Sequence, residues 1–316
     1  MSSIAWGLLL LLSFIWGASF YFIEVGLGYL DPYWLVSLRL VTGAIALTAW
    51  LVLTGNMPVP NFSLSPTRSL WPTRSLWIAG AVMGVLNNII PFSLIAIGQQ
   101  YVTGGMASIL NANTAFMGVI VSGLFLAAEP AKWHRIIGVI IGIFGVSIAV
   151  GLENLSGGTE DSTILWGQIA IILATISYAF AGVWGKVKLA GFQPIHGAVV
   201  MLVCSAVISV FVASLFSGAP PPAIFSAPFD MILLVIGLGV FGTALAYPLY
   251  FRILELAGAS NLMLVTIIVP VFALVIDAML LQQFVSYADM AGFGLVAIGL
   301  MVMDGRLNRF IPVKLK

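Results

Sequence analysis

Three charged residues stand inside long apolar runs of this 316-residue chain: Glu24, Arg39 and Asp277. A charge in hydrocarbon is costly, so it marks a pathway, a buried pair or a side chain reaching back to the headgroups. Arg39 has the fork geometry that holds a carboxylate or a phosphate. Glu24 and Asp277 are the embedded groups able to carry a proton. Around them the apolar runs hold amides, hydroxyls and aromatic rings, which can bond and stack a small molecule but cannot by themselves break a bond. No nucleophile stands beside a base, no two carboxylates share a depth, and the two histidines, His134 and His196, lie at segment ends without further metal ligands. An intramembrane enzyme is therefore disfavoured, and neither a metal nor a cofactor is expected.

The elements that must position these residues are membrane spans. The chain is 61% hydrophobic and 7% charged, outside the range of soluble domains. A span needs about 20 mostly apolar residues. Ten windows qualify: roughly 4–26, 33–53, 76–98, 103–128, 136–152, 163–185, 194–216, 230–254, 260–281 and 285–303. Continuous apolar runs exclude a membrane barrel, whose strands alternate. The expected fold class is all-α, a polytopic membrane protein. One cysteine, Cys204, gives no disulfide framework. The first run lacks a positive leader and is longer than a signal-peptide core, so it reads as a true helix. Between residues 54 and 75 a hexapeptide occurs twice, from Pro66 to Trp71 and from Pro72 to Trp77, as a local duplication in a tolerant linker.

The ten windows form a five-helix unit written twice, with residues 1–152 as the first repeat, 153–162 as a linker, 163–305 as the second repeat and 306–316 as a basic tail. Pro32 and Pro194 open the second run of each copy. Gly104-Gly105-Met106-Ala107 is echoed by Gly258-Ala259-Ser260-Asn261, and Gly138 and Gly145 by Gly292 and Gly299. An odd number of spans repeated directly enters the membrane from the opposite side, which gives inverted repeats around a central cavity. The charges agree. With the N-terminus in the cytoplasm, Arg68, Arg74, Lys132, Arg135, Lys186, Lys188, Arg252, Arg306, Arg309, Lys314 and Lys316 fall inside; only Arg39, of twelve basic residues, is embedded. Both termini are then cytoplasmic, in a bacterial-type inner membrane.

Polar residues at mid-depth concentrate in runs 1, 3, 4, 6, 8 and 9. Trp16, Ser19, Asn87, Asn88, Asn111, Asn113, Tyr178, Thr243, Tyr247 and Asn261 are the candidate substrate-binding residues. The plainer alternative is that Ser, Thr and Asn glue helices together or bond their own backbone. Adjacent amides point about 100° apart, so Asn87 and Asn88 cannot both be satisfied within their helix. Trp16, Tyr178 and Tyr247 either pack or form a stacking wall. Pro91, Pro248 and Pro270 each free a carbonyl one turn earlier, suiting a static kink or a flexing gate. Runs 2, 5, 7 and 10 are blander. The glycines of runs 5 and 10 let them pack against each other or against a second protomer, so an oligomer would use these runs.

With this orientation Glu24, Arg39 and Asp277 all fall in the outer half, as gate or vestibule residues. Arg39 is expected to pair with Glu24 or Asp277, to stand in an outer vestibule, or to snorkel as the other two do. Neither carboxylate is at the midplane, which favours facilitated transport over proton coupling.

The chain resembles the EamA-type members of the drug/metabolite transporter superfamily over essentially its whole length. The resemblance is carried by Ile15-Trp16-Gly17-Ala18-Ser19-Phe20, Arg39-Leu40, Phe125-Leu126-Ala127-Ala128-Glu129, Val269-Pro270-Val271-Phe272-Ala273 and the closing glycine ladder. The chain departs from the family where Glu24 replaces a basic residue, and where Gln282-Gln283 replaces a second Gly-Glu. The resemblance implies a substrate site between the halves and export of amino acids or other small metabolites by alternating access. The partners are then a small-molecule substrate and the lipid bilayer; no basic cluster exists to bind nucleic acid. The alternatives are a carrier of another metabolite or drug-like compound, including a sugar phosphate or nucleotide sugar, and a non-transporting membrane scaffold. Phosphate would call for mid-depth cations, and a scaffold gives no reason for a polar belt.

Overall fold

The computed structural model describes residues 1–55, 74–126, 132–151, 159–224 and 227–305; of residues 159–161, 223, 259 and 260 only the backbone is described. The first copy of the hexapeptide, Glu129 and the basic tail lie outside these residues. Ten apolar helices run through the described chain: α1 (Ser3–Gly26), α2 (Pro32–Leu53), α3 (Arg74–Gly98), α4 (Gly104–Phe125), α5 (Trp133–Val150), α6 (Thr159–Lys188), α7 (Pro194–Ser217), α8 (Phe229–Ala257), α9 (Val265–Leu281) and α10 (Tyr287–Met303). The first eight are long and apolar enough to cross a membrane, and the last two are shorter apolar helices. Helix α6 starts at Thr159, inside the stretch expected to be linker. No strand occurs among the described residues.

The helix starts follow the local sequence. Asp31 caps α2 by accepting from Tyr33 N and Trp34 N at 3.0 and 3.2 Å, with Pro32 at the first turn where its missing N–H costs nothing. The same carboxylate accepts from Ser217 Oγ at 2.6 Å and so ties the start of α2 to the end of α7. Thr103 caps α4. Ser286 and Asp289 form a capping box on α10. Gly258 ends α8 with φ of 78°, a left-handed conformation that a side chain would strain.

Helix pairing has an internal two-fold. Helix α1 packs on α9 as α6 packs on α4; α3 packs on α6 as α8 packs on α1; α3 packs on α7 as α8 packs on α2. Helices α2 and α7 face each other across this axis, and so do α5 and α10. The glycines explain the last pair. A Cβ at Gly138 would lie 2.6 Å from Gly299 O, and one at Gly145 would lie 2.8 Å from Gly292 O, so the α5 and α10 backbones touch. Of the two partners considered for this glycine face, the chain uses itself. Large apolar side chains such as Leu53, Phe144, Phe211, Leu215 and Phe284 are exposed around the bundle, as lipid contact requires.

The irregular helices all belong to the polar set, although α1 and α6 of that set are regular. Helix α3 contains a π segment, Val85–Ile89, and α8 contains a longer one, Gly237–Leu245. Each lies just before a proline, Pro91 and Pro248, whose missing N–H disturbs the ladder upstream. Helix α4 breaks at Ala112 and Asn113. Helix α9 is preceded by a separate turn, Ala259–Leu262, carries Pro270 inside, and ends in a π segment, Asp277–Leu281. Irregular backbone at membrane depth is tolerated where protein or a polar space covers it.

Candidate substrate site

The π segment of α3 turns Asn87 and Asn88 toward α7 and α8. Asn88 is fully buried; its amide donates to Ser205 Oγ of α7 at 3.0 Å and its oxygen accepts from Tyr247 Oη of α8 at 3.2 Å. Asn87 donates to Asn88 Oδ1 at 3.2 Å and to Tyr247 Oη at 3.4 Å. The two amides therefore differ. Asn88 is a strut joining three helices, and Asn87 is the half-buried member with surface to spare.

Arg39 joins the same group from α2. Its Nε donates to Thr243 Oγ1 at 3.0 Å, and its guanidinium carbon lies 3.9 Å from the centre of the Phe92 ring. Thr243 is available because its own hydroxyl proton goes to Leu238 O, the i to i−5 partner that the π segment supplies. Arg39 is 6% exposed. The expected pair with Glu24 or Asp277 is not formed, and no ion pair of Arg39 occurs among the described residues. The α-carbon lies toward one end of α2, but the long side chain runs inward rather than to the headgroups. Taking an ion of this size out of water costs several kcal/mol. One charged hydrogen bond returns about 1.5–3 kcal/mol, and a desolvated cation–π contact about 2 kcal/mol. These roughly offset the penalty while leaving the Nη fork without an acceptor among the described residues.

Tyr178 and Tyr247 are both half-buried within the bundle. Near Tyr178 on α6, Thr175 accepts from Asn113 Nδ2 at 3.3 Å, beside the break in α4. The side-chain oxygens of Asn111 and Asn113 are buried without a donor. Trp16 tilts against Tyr250 of α8 at 6.2 Å.

Other candidates do local work. Ser19 donates to Ile15 O at 2.9 Å and fills the space beside Gly242. Asn261 donates to Ala257 O at 2.8 Å, holding the turn between α8 and α9. Pro91, Pro248 and Pro270 sit at the helix irregularities. Phe92 and Ser205 were not singled out by sequence; Phe92 lies one turn after Asn88, whereas Ser205 stands on a helix read as bland.

Glu24 and Asp277 form a second polar place, at the face where α1 meets α2. There α4 begins, and both carboxylates accept from its first amides. Glu24 Oε2 accepts from Gly104 N at 2.7 Å, and Asp277 Oδ2 accepts from Gly105 N. Gln283 donates to Glu24 Oε1 at 2.7 Å. Among the described residues no group of three His, Cys, Asp or Glu is placed to hold a metal ion.

A family model described as the EamA-like transporter family matches residues 3–151 and again 165–303. An uncharacterized inner membrane transporter of Escherichia coli, YedA, is 24% identical over 299 residues, covering 94% of this chain and 89% of the relative. The uncharacterized transporter YoaV of Bacillus subtilis is 23% identical over 301 residues, covering 93% and 94%. A solved crystal structure superposes with a TM-score of 0.66 at 16% identity, over 98% of this chain and all of the other, a likeness of fold alone. The family model matches this chain twice, over most of its length, and the chain belongs to the EamA-like transporter family.

Proposed function

We propose that this chain is an inner-membrane secondary transporter for small zwitterionic metabolites, with amino acids as the first choice and export as the direction. It performs no chemistry on what it carries. One observation carries the reading: a buried guanidinium, Arg39, held by Thr243 and the Phe92 ring, whose outer fork has no acceptor among the described residues. A carboxylate is the partner such a fork takes, often through two parallel bonds. The donor-free oxygens of Asn111 and Asn113 supply what an ammonium group needs. Tyr178, Tyr247, Phe92 and Trp16 offer faces to a side chain. A sugar phosphate fits less well, because among the described residues Arg39 is the only buried basic side chain.

The cycle is alternating access about the axis relating the halves. Every irregular segment lies in α3, α4, α8 or α9, whereas α5 and α10 form a rigid seam. Charge placement supports cytoplasmic termini and an outer α1–α2 face. The test is counterflow in proteoliposomes with labelled L-amino acids, organic acids and sugar phosphates. Accumulation of amino acids above empty vesicles, lost in Arg39→Gln, is expected. Accumulation of sugar phosphates alone, or amino-acid exchange indifferent to Arg39, overturns the reading.

A further inference from the structure

At the α1–α2 face two carboxylates share one helix terminus. A Cβ placed on Gly104 would lie 3.2 Å from Glu24 Oε2, 3.1 Å from Asp277 Oδ2 and 3.3 Å from Asp277 Oδ1. Three carboxylate oxygens from two helices thus converge on one point, which only a glycine leaves open. Three of the four carboxylate oxygens have donors: Gly104 N, Gly105 N and Gln283 Nε2. The fourth, Asp277 Oδ1, is buried without a partner on a residue only 2% exposed. The charges do not balance. A helix N-terminus supplies roughly half a positive charge against two negative ones.

Among the described residues no basic side chain enters to make up the difference. Helix α1 carries only Tyr21 and Glu24 as titratable groups, and α4 and α9 carry none besides Asp277. Asp289, at the nearby start of α10, is engaged in its own capping box. A metal cation is a poor occupant, since three N–H donors already point at these carboxylates and one buried oxygen cannot build the shell of several oxygens that a hard cation takes. A proton needs only that one oxygen.

We propose that Glu24 and Asp277 bind one proton between them at the N-terminus of α4, and that this proton keeps the α1–α2 face closed. The closed face is a contact between halves, because α1 and α4 belong to the first repeat and α9 to the second. With the proton bound, the site carries one negative charge, matched by the helix terminus and three donors. When the proton leaves to the aqueous side, two carboxylates face each other across Gly104, and separating α9 from α1 and α4 relieves the repulsion. The closed form holds a proton that the open form releases, so closure is favoured at low pH and lost as pH rises. Transport is then proton-coupled, which revises the expectation that carboxylates away from the midplane have no part in the cycle. The proposal does not depend on which substrate is carried.

The test needs no substrate. Amide hydrogen exchange of the full chain in lipid nanodiscs is followed by mass spectrometry from about pH 5 to about pH 8, with peptides covering 103–111 and the start of α10, each rate corrected for intrinsic exchange. In the wild type the corrected rate at Gly104 and Gly105 is expected to rise by about tenfold or more with pH. The start of α10 is expected to stay constant. Asp277→Asn, which keeps an acceptor for Gly105 and mimics the protonated form, should be slow at both ends of the range, and Glu24→Gln should also lose the transition. A flat wild-type profile overturns the proposal. So does a transition that survives in Asp277→Asn, a parallel rise at α10, or a change that follows replacement of sodium by choline at fixed pH. If a variant fails to fold, the wild-type profile against its α10 control still decides.

Discussion

Arg39 and the Glu24–Asp277 pair are all embedded charges, yet they are satisfied in different ways. Glu24 and Asp277 spend three of their four oxygens on backbone and side-chain donors and close one face of the bundle. Arg39 spends one nitrogen on Thr243, rests on Phe92, and leaves its fork uncommitted. Opposite charges in a low-dielectric interior attract strongly, so a chain selected only for stability would have joined them. Keeping them apart leaves an anion-holding place within the bundle and a proton-holding place at its rim.

The largest effect expected from breaking this contrast is at Arg39. Arg39→Gln should weaken apparent substrate affinity by about thirtyfold or more, the loss of about 2 kcal/mol when a buried charged contact disappears. Thermal stability should hold or rise, because a buried unpaired charge is removed. Asp277→Ala should do the reverse at the level of the fold. It strips a cap and leaves a buried N–H without an acceptor, at a cost of about 1–3 kcal/mol, which a thermal unfolding midpoint in detergent reads directly. Large destabilisation by Arg39→Gln would mean that Arg39 is a structural strut after all.

A reversal pair sharpens the same point. Arg39→Asp combined with Asp277→Arg restores function only if the two side chains meet. Since Arg39 bonds to Thr243 and Asp277 to Gly105, the double variant should transport no better than the worse single variant. Counterflow with the three variants side by side checks this, and rescue would contradict the separation of the two sites.

The reversal pair also shows where reading the sequence stopped. Segment number, the repeat and the glycine seam of α5 and α10 were legible because each is a one-dimensional pattern: length, offset and spacing. Arg39 was not, because depth along a helix fixes the α-carbon and not the end of a long side chain. Which way the side chain runs depends on helix rotation and on Thr243, 204 positions away. The π segments were equally hidden. Pro91 and Pro248 announced a disturbance, but not that it would turn Asn88 onto Ser205 and free Thr243 to accept from Arg39. Gly104-Gly105 was noticed as a landmark of the repeat; its physical meaning, a helix start bare enough for two carboxylates to approach, needed Glu24 and Asp277 in place.

A smaller effect belongs to the amide cluster. Tyr247→Phe removes the hydroxyl shared by Asn87 and Asn88 but leaves the ring and the bond from Asn88 to Ser205. Losing these two neutral hydrogen bonds, at about 0.5 kcal/mol each in a partly exposed cluster, should lower affinity in counterflow by about fivefold. A thirtyfold loss would move the weight of recognition from Arg39 to the tyrosine.

The smallest expected effect separates the rim from ordinary helix. A methyl group at Gly118 meets nothing within 4 Å, so Gly118→Ala should stabilise α4 by about 0.5–1 kcal/mol through helix propensity alone. The same change at Gly104 enters the same helix but places its methyl 3.1–3.3 Å from three carboxylate oxygens. These oxygens must then shift by a few tenths of an ångström, lengthening their bonds to Gly104 N and Gly105 N. The propensity gain should be cancelled, and the unfolding midpoint should fall below that of Gly118→Ala. If both variants gain equally, the carboxylates are free to move aside, and the α1–α2 face is held by apolar packing rather than by the charges that converge on it.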